Sequence, residues 1–110
     1  MYAHAGVRGE AEGGSLTFQA EDVTIILTAQ PEGPRSKTLN ITGLVQVENT
    51  APDALVGKEV HLVYEGVHFA TDTLDDTGNF FFEEIEPPQP FQLDIILDDR
   101  IISVTDLRLS

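Results

Sequence analysis

The segment Leu74-Asp75-Asp76-Thr77-Gly78-Asn79-Phe80-Phe81-Phe82 constrains this chain more than any other. It reads as a tight acidic turn closed by a glycine, then a strand whose aromatic side chains enter a core. Asp and Thr side chains hydrogen-bond their own backbone in a type I turn. Gly78 supplies the positive φ that short hairpin loops need at their end. Such a turn carries no chemistry. It commits the chain to paired strands and leaves the activity open.

Strand patterns recur at short intervals around that turn. Leu16 to Ala20 is a short one. Val23 to Ala29 is rich in β-branched residues and alternates at Val23, Ile25 and Leu27. Gln30 to Pro34 breaks it. Leu39 to Glu48 alternates at Leu39, Ile41, Val45 and Val47, with Gly43 as a bulge or a close approach. Thr50 to Val56 has room for one helical turn. Glu59 to Tyr64 puts Val60, Leu62 and Tyr64 on one face, Glu65-Gly66 reads as a two-residue hairpin turn, and Phe69 to Leu74 returns with poor alternation. Asn79 to Ile85 follows the acidic turn. Pro87 to Pro90 forces an extended connection. Phe91 to Ile95 alternates cleanly, and Asp98-Asp99 turns the chain into a last strand from Arg100.

Seven or eight short strands with frequent turns predict an all-β fold, an antiparallel Greek-key β-sandwich. Residues 1–14, rich in Gly, Ala and Glu, read as a flexible leader or linker before a single domain over 15–110. The expected core is Ile25, Leu27, Ile41, Val45, Val60, Leu62, Phe80, Phe82, Ile85, Phe91, Leu93 and Ile95.

Charge narrows the function classes. Six Lys and Arg face nineteen Asp and Glu, a formal net charge of -13 on 110 residues. Phosphate repels such a chain, which argues against nucleic acid and against anionic membrane surfaces. The charge fits solubility and resistance to self-association, and equally a basic partner or a high-salt habitat. No apolar run is long enough to span a membrane. With no cysteine, disulfides and thiolate metal sites are excluded. The start Met1-Tyr2-Ala3-His4 lacks the pattern of a signal peptide, as expected of a cytoplasmic protein or of a domain cut from a longer chain.

The order of these elements resembles the carboxypeptidase regulatory-like domain, a transthyretin-like (prealbumin-like) β-sandwich. The family pattern is Thr-Gly-x-Val, Leu-x-Gly-x-x-Val-x-Leu, Thr-Asp-x-x-Gly-x-Phe-x-Phe and Leu-x-Pro-Gly-x-Tyr-x-Leu. Its counterparts here are Thr42 to Val45, Leu55 to Leu62, Leu74 to Phe82 and Ile85 to Leu93, within residues 39–97. Leu74 stands where Thr is usual. Pro88 replaces the usual Gly, and the connection is one residue longer before Phe91. More loosely, the flanking strands resemble those of versions found at the end of bacterial regulatory proteins. The resemblance implies a non-enzymatic accessory module that supports or connects other domains.

The chain offers few candidates for chemistry. His61 and His68 face each other across the predicted hairpin and, with Asp72, would make a metal-binding trio; the alternative is two exposed strand histidines. Related iron dioxygenases use tyrosine ligands, and Tyr64 is the only tyrosine beyond the leader. Asp72, Asp75, Asp76 and Asn79 do not have helix-loop-helix calcium spacing. Ser15, Ser36, Ser103 and Ser110 lack a nucleophile elbow, and the ending Leu107-Arg108-Leu109-Ser110 lacks the Tyr and Gly of the related hydroxyisourate hydrolases. Lys37 and Lys58 lie at loop or strand-start positions, unsuited to the isopeptide bond of related pilin sandwiches. We therefore expect no catalytic, cofactor-binding or metal residue. A sugar-binding sandwich is the main alternative, although the chain has no Trp.

Two features point to a contact surface. Ile26, Ile96, Leu97 and Ile101 exceed a simple in-out alternation, so they either cover such a surface or pack beneath strands and loops. Glu83, Glu84 and Glu86 lie close in chain order to Asp98 and Asp99, which predicts an acidic cluster at one end of the sandwich, suited to a basic partner.

Overall fold

Alternating apolar residues fold into strands because each strand can then bury one face. The computed structural model describes residues 2–5, as backbone, together with residues 15–31, 38–86 and 88–108. Among them are nine strands: β1 Tyr2–Ala5, β2 Ser15–Ala20, β3 Val23–Pro31, β4 Leu39–Val47, β5 Glu59–Tyr64, β6 Val67–Thr73, β7 Asn79–Ile85, β8 Phe91–Ile96 and β9 Ile101–Leu107. The helical element among the described residues is a single 3-10 turn, Pro52–Leu55. It falls inside the Thr50 to Val56 stretch and buries Leu55.

The strands form two sheets, ordered β1-β9-β8-β5-β6 and β2-β3-β4-β7. Strands β2 to β9 pair antiparallel throughout. β1 joins in parallel, with Tyr2 opposite Ile101 and Ala5 opposite Val104. Within the expected leader, then, residues 2–5 pair with the edge of β9, while residues 6–14 lie outside the described residues. Tyr2 to Ala5 contains no glycine, and the edge of β9 presents backbone groups that need partners.

The inner faces of both sheets contribute to one apolar core. Every expected core residue is buried except Ile85, which is half-buried at the core's margin. Ile85 lies beyond a register shift between Leu39 and Ile41, at the end of β7. Leu16, Phe18, Val23, Leu39, Leu74, Ile102, Val104 and Leu107 are among the further core residues. Each such side chain stabilises the fold by about 1.5–3 kcal/mol relative to an exposed one. Leu74 is 2% exposed. Leu74 thus plugs the core from outside the strands.

The acidic turn is built as its residues require. The Asp75 carboxylate accepts from the Thr77 N–H (2.9 Å), the Thr77 hydroxyl (2.8 Å) and the Asn79 N–H (2.9 Å). Gly78 has φ +81°. Its carbonyl accepts from the Val45 N–H at 2.8 Å, which ties the turn to β4. Glu65 and Gly66 both take positive φ, as a two-residue hairpin requires. A register shift between Leu62 and Val63 accounts for the poor alternation of β6. Gly43 is a close approach and not a bulge. It pairs in continuous register with Leu27 and Phe80, and the Phe80 ring fills the place of its missing side chain.

Candidate interaction surface

The two expected acidic groups do not meet. Ile85 pairs with Leu39, and the Glu84 N–H donates to Asn40 Oδ1 at 2.9 Å, so Glu83, Glu84 and Glu86 lie level with the start of β4. Asp98 and Asp99 occupy the β8–β9 turn, level with the end of β4. There Arg100 reaches Glu21 (2.9 Å) and Asp22 (2.6 Å) in the β2–β3 turn, and Lys58 pairs with Asp98. The length of β4 separates the two levels by about 25 Å, well over twice the screening length at physiological salt. The physical reason is simple: a strand carries the chain to the other end of its sheet, and β8 lies between the two groups. The Asp22 carboxyl sits below its ordinary range because Arg100 hydrogen-bonds it. Arg100 in turn is held in its charged form, chiefly by Asp22.

His61 and His68 do come together, with ring centroids 4.6 Å apart on the outer face of the five-stranded sheet. Asp72 does not join them. It pairs in register with Val60, whose side chain points into the core, and its carboxylate accepts from the Phe81 N–H of β7 at 2.8 Å. His61 Nε2 lies 2.8 Å from Glu59 Oε1, and its Nδ1 is buried without a hydrogen-bond partner among the described residues. Among the described residues no three His, Asp or Glu side chains are placed to hold a metal ion. Ser103 donates its hydroxyl to Asp94 at 2.8 Å and not to a histidine. Three surface hollows of about 380, 240 and 410 Å³ are not lined by either histidine.

The four surplus apolar residues are half-buried and go to three different places. Leu97 packs on the core at the β8–β9 turn. Ile96 and Ile101 pair with each other beside β1. Ile26 sits at the centre of the outer face of the four-stranded sheet, between Thr17 and Leu44.

That outer face is where the structure departs most from the rest of the molecule. Registers place Ser15, Thr28, Thr42 and Phe81 in one row, Thr17, Ile26, Leu44 and Asn79 in the next, and Gln19, Thr24 and Gln46 in a third. None of these residues is charged, although charged residues make up 23% of the chain. Glu83 stands at the border, on the edge strand. Ser15 and Thr28 share a hydroxyl hydrogen bond of 3.1 Å across β2 and β3. Phe81 is 46% exposed and borders the 380 Å³ hollow, with Thr42, Asp72 and Asn79 also in its lining. The edge of β7 beside it is blunted. Asp72 takes up the Phe81 N–H and Asp75 the Asn79 N–H, so an incoming strand would meet occupied donors and two carboxylates. The face, not this edge, is open for contact. Its signal was present in the sequence, where the outward positions of β2, β3 and β4 from Ser15 to Gln19, Thr24 to Thr28 and Thr42 to Gln46 lack charge.

No family model, curated protein or solved structure matches the chain. The fold itself defines the class: among the described residues, an all-β, β-sandwich-like protein with two sheets, antiparallel apart from β1, and almost no helix. Among the described residues no helix is long and apolar enough to cross a membrane.

Proposed function

We propose that the chain is a non-enzymatic interaction module that meets another macromolecule through the uncharged outer face of its four-stranded sheet. The absence of charge from that face, on a chain of net charge -13, carries the reading. Solubility alone would favour Lys and Glu at these outward positions. An interface core is instead depleted of charge and tolerates Thr, Gln and aliphatic side chains. We further infer a Greek-key, transthyretin-like topology and the role of a carboxypeptidase regulatory-like domain, an accessory and regulatory part of a larger bacterial protein or complex. The motifs from Thr42 to Leu93 support that inference.

Sugar binding is the second reading. Phe81 favours it, being an exposed aromatic ring beside the hydroxyl of Thr42 and the amide of Asn79. Site-specific photo-crosslinking separates the two. A photoreactive side chain at Thr42 or Gln46 is expected to yield protein adducts under native conditions, and one at exposed Thr71 on the other sheet to yield none. Equal labelling at all three positions, or glycan binding lost in Phe81→Ala, would contradict the protein-interaction reading.

A further inference from the structure

We propose that the hollow at the β6–β7 corner, on the border of the uncharged face, takes an arginine side chain of the partner protein, stacked on Phe81. The inference rests on the interaction reading above and adds the chemistry of the contact.

The aromatic ring is the first argument. Phe80 and Phe82 turn into the core, whereas Phe81 turns away from it and is 46% exposed. Its ring borders the 380 Å³ hollow, which Thr42, Asp72, Thr73 and Asp75 also line. Ligand-binding hollows begin at about 300 Å³ and combine such a wall with a few fixed polar groups.

The polar groups select a cation. Backbone donors fix both carboxylates. Asp72 Oδ2 accepts from the Phe81 N–H, and Asp75 Oδ1 accepts from the Thr77 and Asn79 N–H groups. A carboxylate accepts at both of its oxygens, so Asp72 Oδ1 and Asp75 Oδ2 can take donors from a ligand. Among the described residues no basic side chain pairs with either carboxylate. Lys58 pairs with Asp98, Arg100 with Glu21 and Asp22, and Arg108 with Asp106. The carboxylates that close the β7 edge to another strand thus make its corner a seat for one positive side chain.

Arginine fits that seat best. Its guanidinium has five N–H donors and no acceptor. Its plane stacks on an aromatic face while its edge forks onto a carboxylate. A lysine ammonium is more strongly hydrated and does not stack. A sugar hydroxyl brings lone pairs towards both carboxylates. A partner seated on the neighbouring uncharged rows also keeps water from the pair, which strengthens it.

Titration of isotope-labelled protein with Nα-acetyl-arginine amide tests this, followed by amide chemical shifts at constant ionic strength. The expected result is saturable shifts at Thr42, Thr73, Asn79 and Phe81, with a dissociation constant on the order of 1–10 mM, as suits a single side chain. Nα-acetyl-citrulline amide has the same shape without the charge and is expected to bind about tenfold more weakly. Phe81→Ala and Asp72→Asn are each expected to weaken arginine binding by about fivefold or more. Val67→Ala, on the β5–β6 hairpin, is expected to change nothing. Phe81 lies outside the core, and the amide oxygen in Asp72→Asn still accepts from the Phe81 N–H, so both variants are expected to fold; thermal melting checks this. Citrulline binding equal to arginine, or arginine binding unchanged in Phe81→Ala, would overturn the proposal. So would shifts at these amides with a neutral monosaccharide and none with arginine, which would favour the sugar reading. No arginine binding, with protein adducts still formed at Thr42, would sink the arginine seat alone and leave the interaction reading standing. Arginine binding without protein adducts at Thr42 or Gln46 would overturn the protein partner and leave a site for a free guanidinium compound.

Discussion

Replacing Gly43 by valine is expected to lower stability by about 3 kcal/mol or more, and Phe80 by alanine by about 3–5 kcal/mol. Either is a large part of the roughly 5–15 kcal/mol typical of a small domain. A Cβ at position 43 would lie 2.0 Å from Phe80 Cζ, so the ring would have to leave its place. Phe80 is 2% exposed and makes an edge contact with Phe82 (centroids 5.7 Å apart), so moving the ring breaks core packing. The two sites form one packing unit, a ring set in the notch of a missing side chain. Urea unfolding of Gly43→Ala, Phe80→Ala and the double variant measures that coupling. The double variant is expected to lose less than the sum of the single losses, by about 1–3 kcal/mol. Strict additivity, or an unchanged melting temperature for Phe80→Ala, would remove this pair from the centre of the core.

The acidic turn gives the second large effect. Gly78→Val is expected to cost about 3 kcal/mol or more, because a β-branched residue is strained at φ +81° and its Cβ would lie 2.6 Å from the Val45 carbonyl oxygen. The same turn sets a pH dependence. The Asp75 carboxyl is held below its ordinary value, first by the Asn79 N–H and then by the Thr77 hydroxyl. A carboxyl lowered in the folded state contributes stability that is complete above its unfolded value. That contribution is lost as pH falls below about 4 and through the folded value. Thermal melting from about pH 5 to pH 2 should therefore show an acid-side decline that is shallower in Asp75→Asn. An identical decline in both proteins would mean that other carboxylates set it.

The legible and illegible parts of the fold divide along physical lines. Local alternation and turn chemistry placed β2 to β9 to within a few residues, because Gly78, the Glu65-Gly66 pair and Pro52 act on their own neighbours. The buried residues that alternation left out needed tertiary information. Leu55 and Leu74 sit outside strands, and Ile102, Val104 and Leu107 lie on a strand disturbed by its shift in register against β8. The acidic cluster failed for a geometric reason, since nearness in sequence across β8 becomes distance along the sheet. His61 and His68 met as the hairpin predicted, whereas Asp72 turned inward because the irregularity at Leu62/Val63 changes which β6 residues face the core. The uncharged face does not show in apolar alternation, which marks only the buried half of each strand. The polar half, Thr17, Thr24, Thr28, Thr42 and Gln46, carried the contrast with the rest of the chain.

Hydroxyl-radical footprinting tests the central claim most directly, because it reads side-chain accessibility on every surface at once. The protein is compared alone and bound to the partner captured by crosslinking at Thr42 or Gln46. The account predicts that Ile26, Leu44 and Phe81 lose reactivity together, while Val56, Val67, Ile96 and Ile101 keep theirs. Protection of Ile96 and Ile101, with Phe81 unchanged, would contradict it and move the contact surface to the five-stranded sheet.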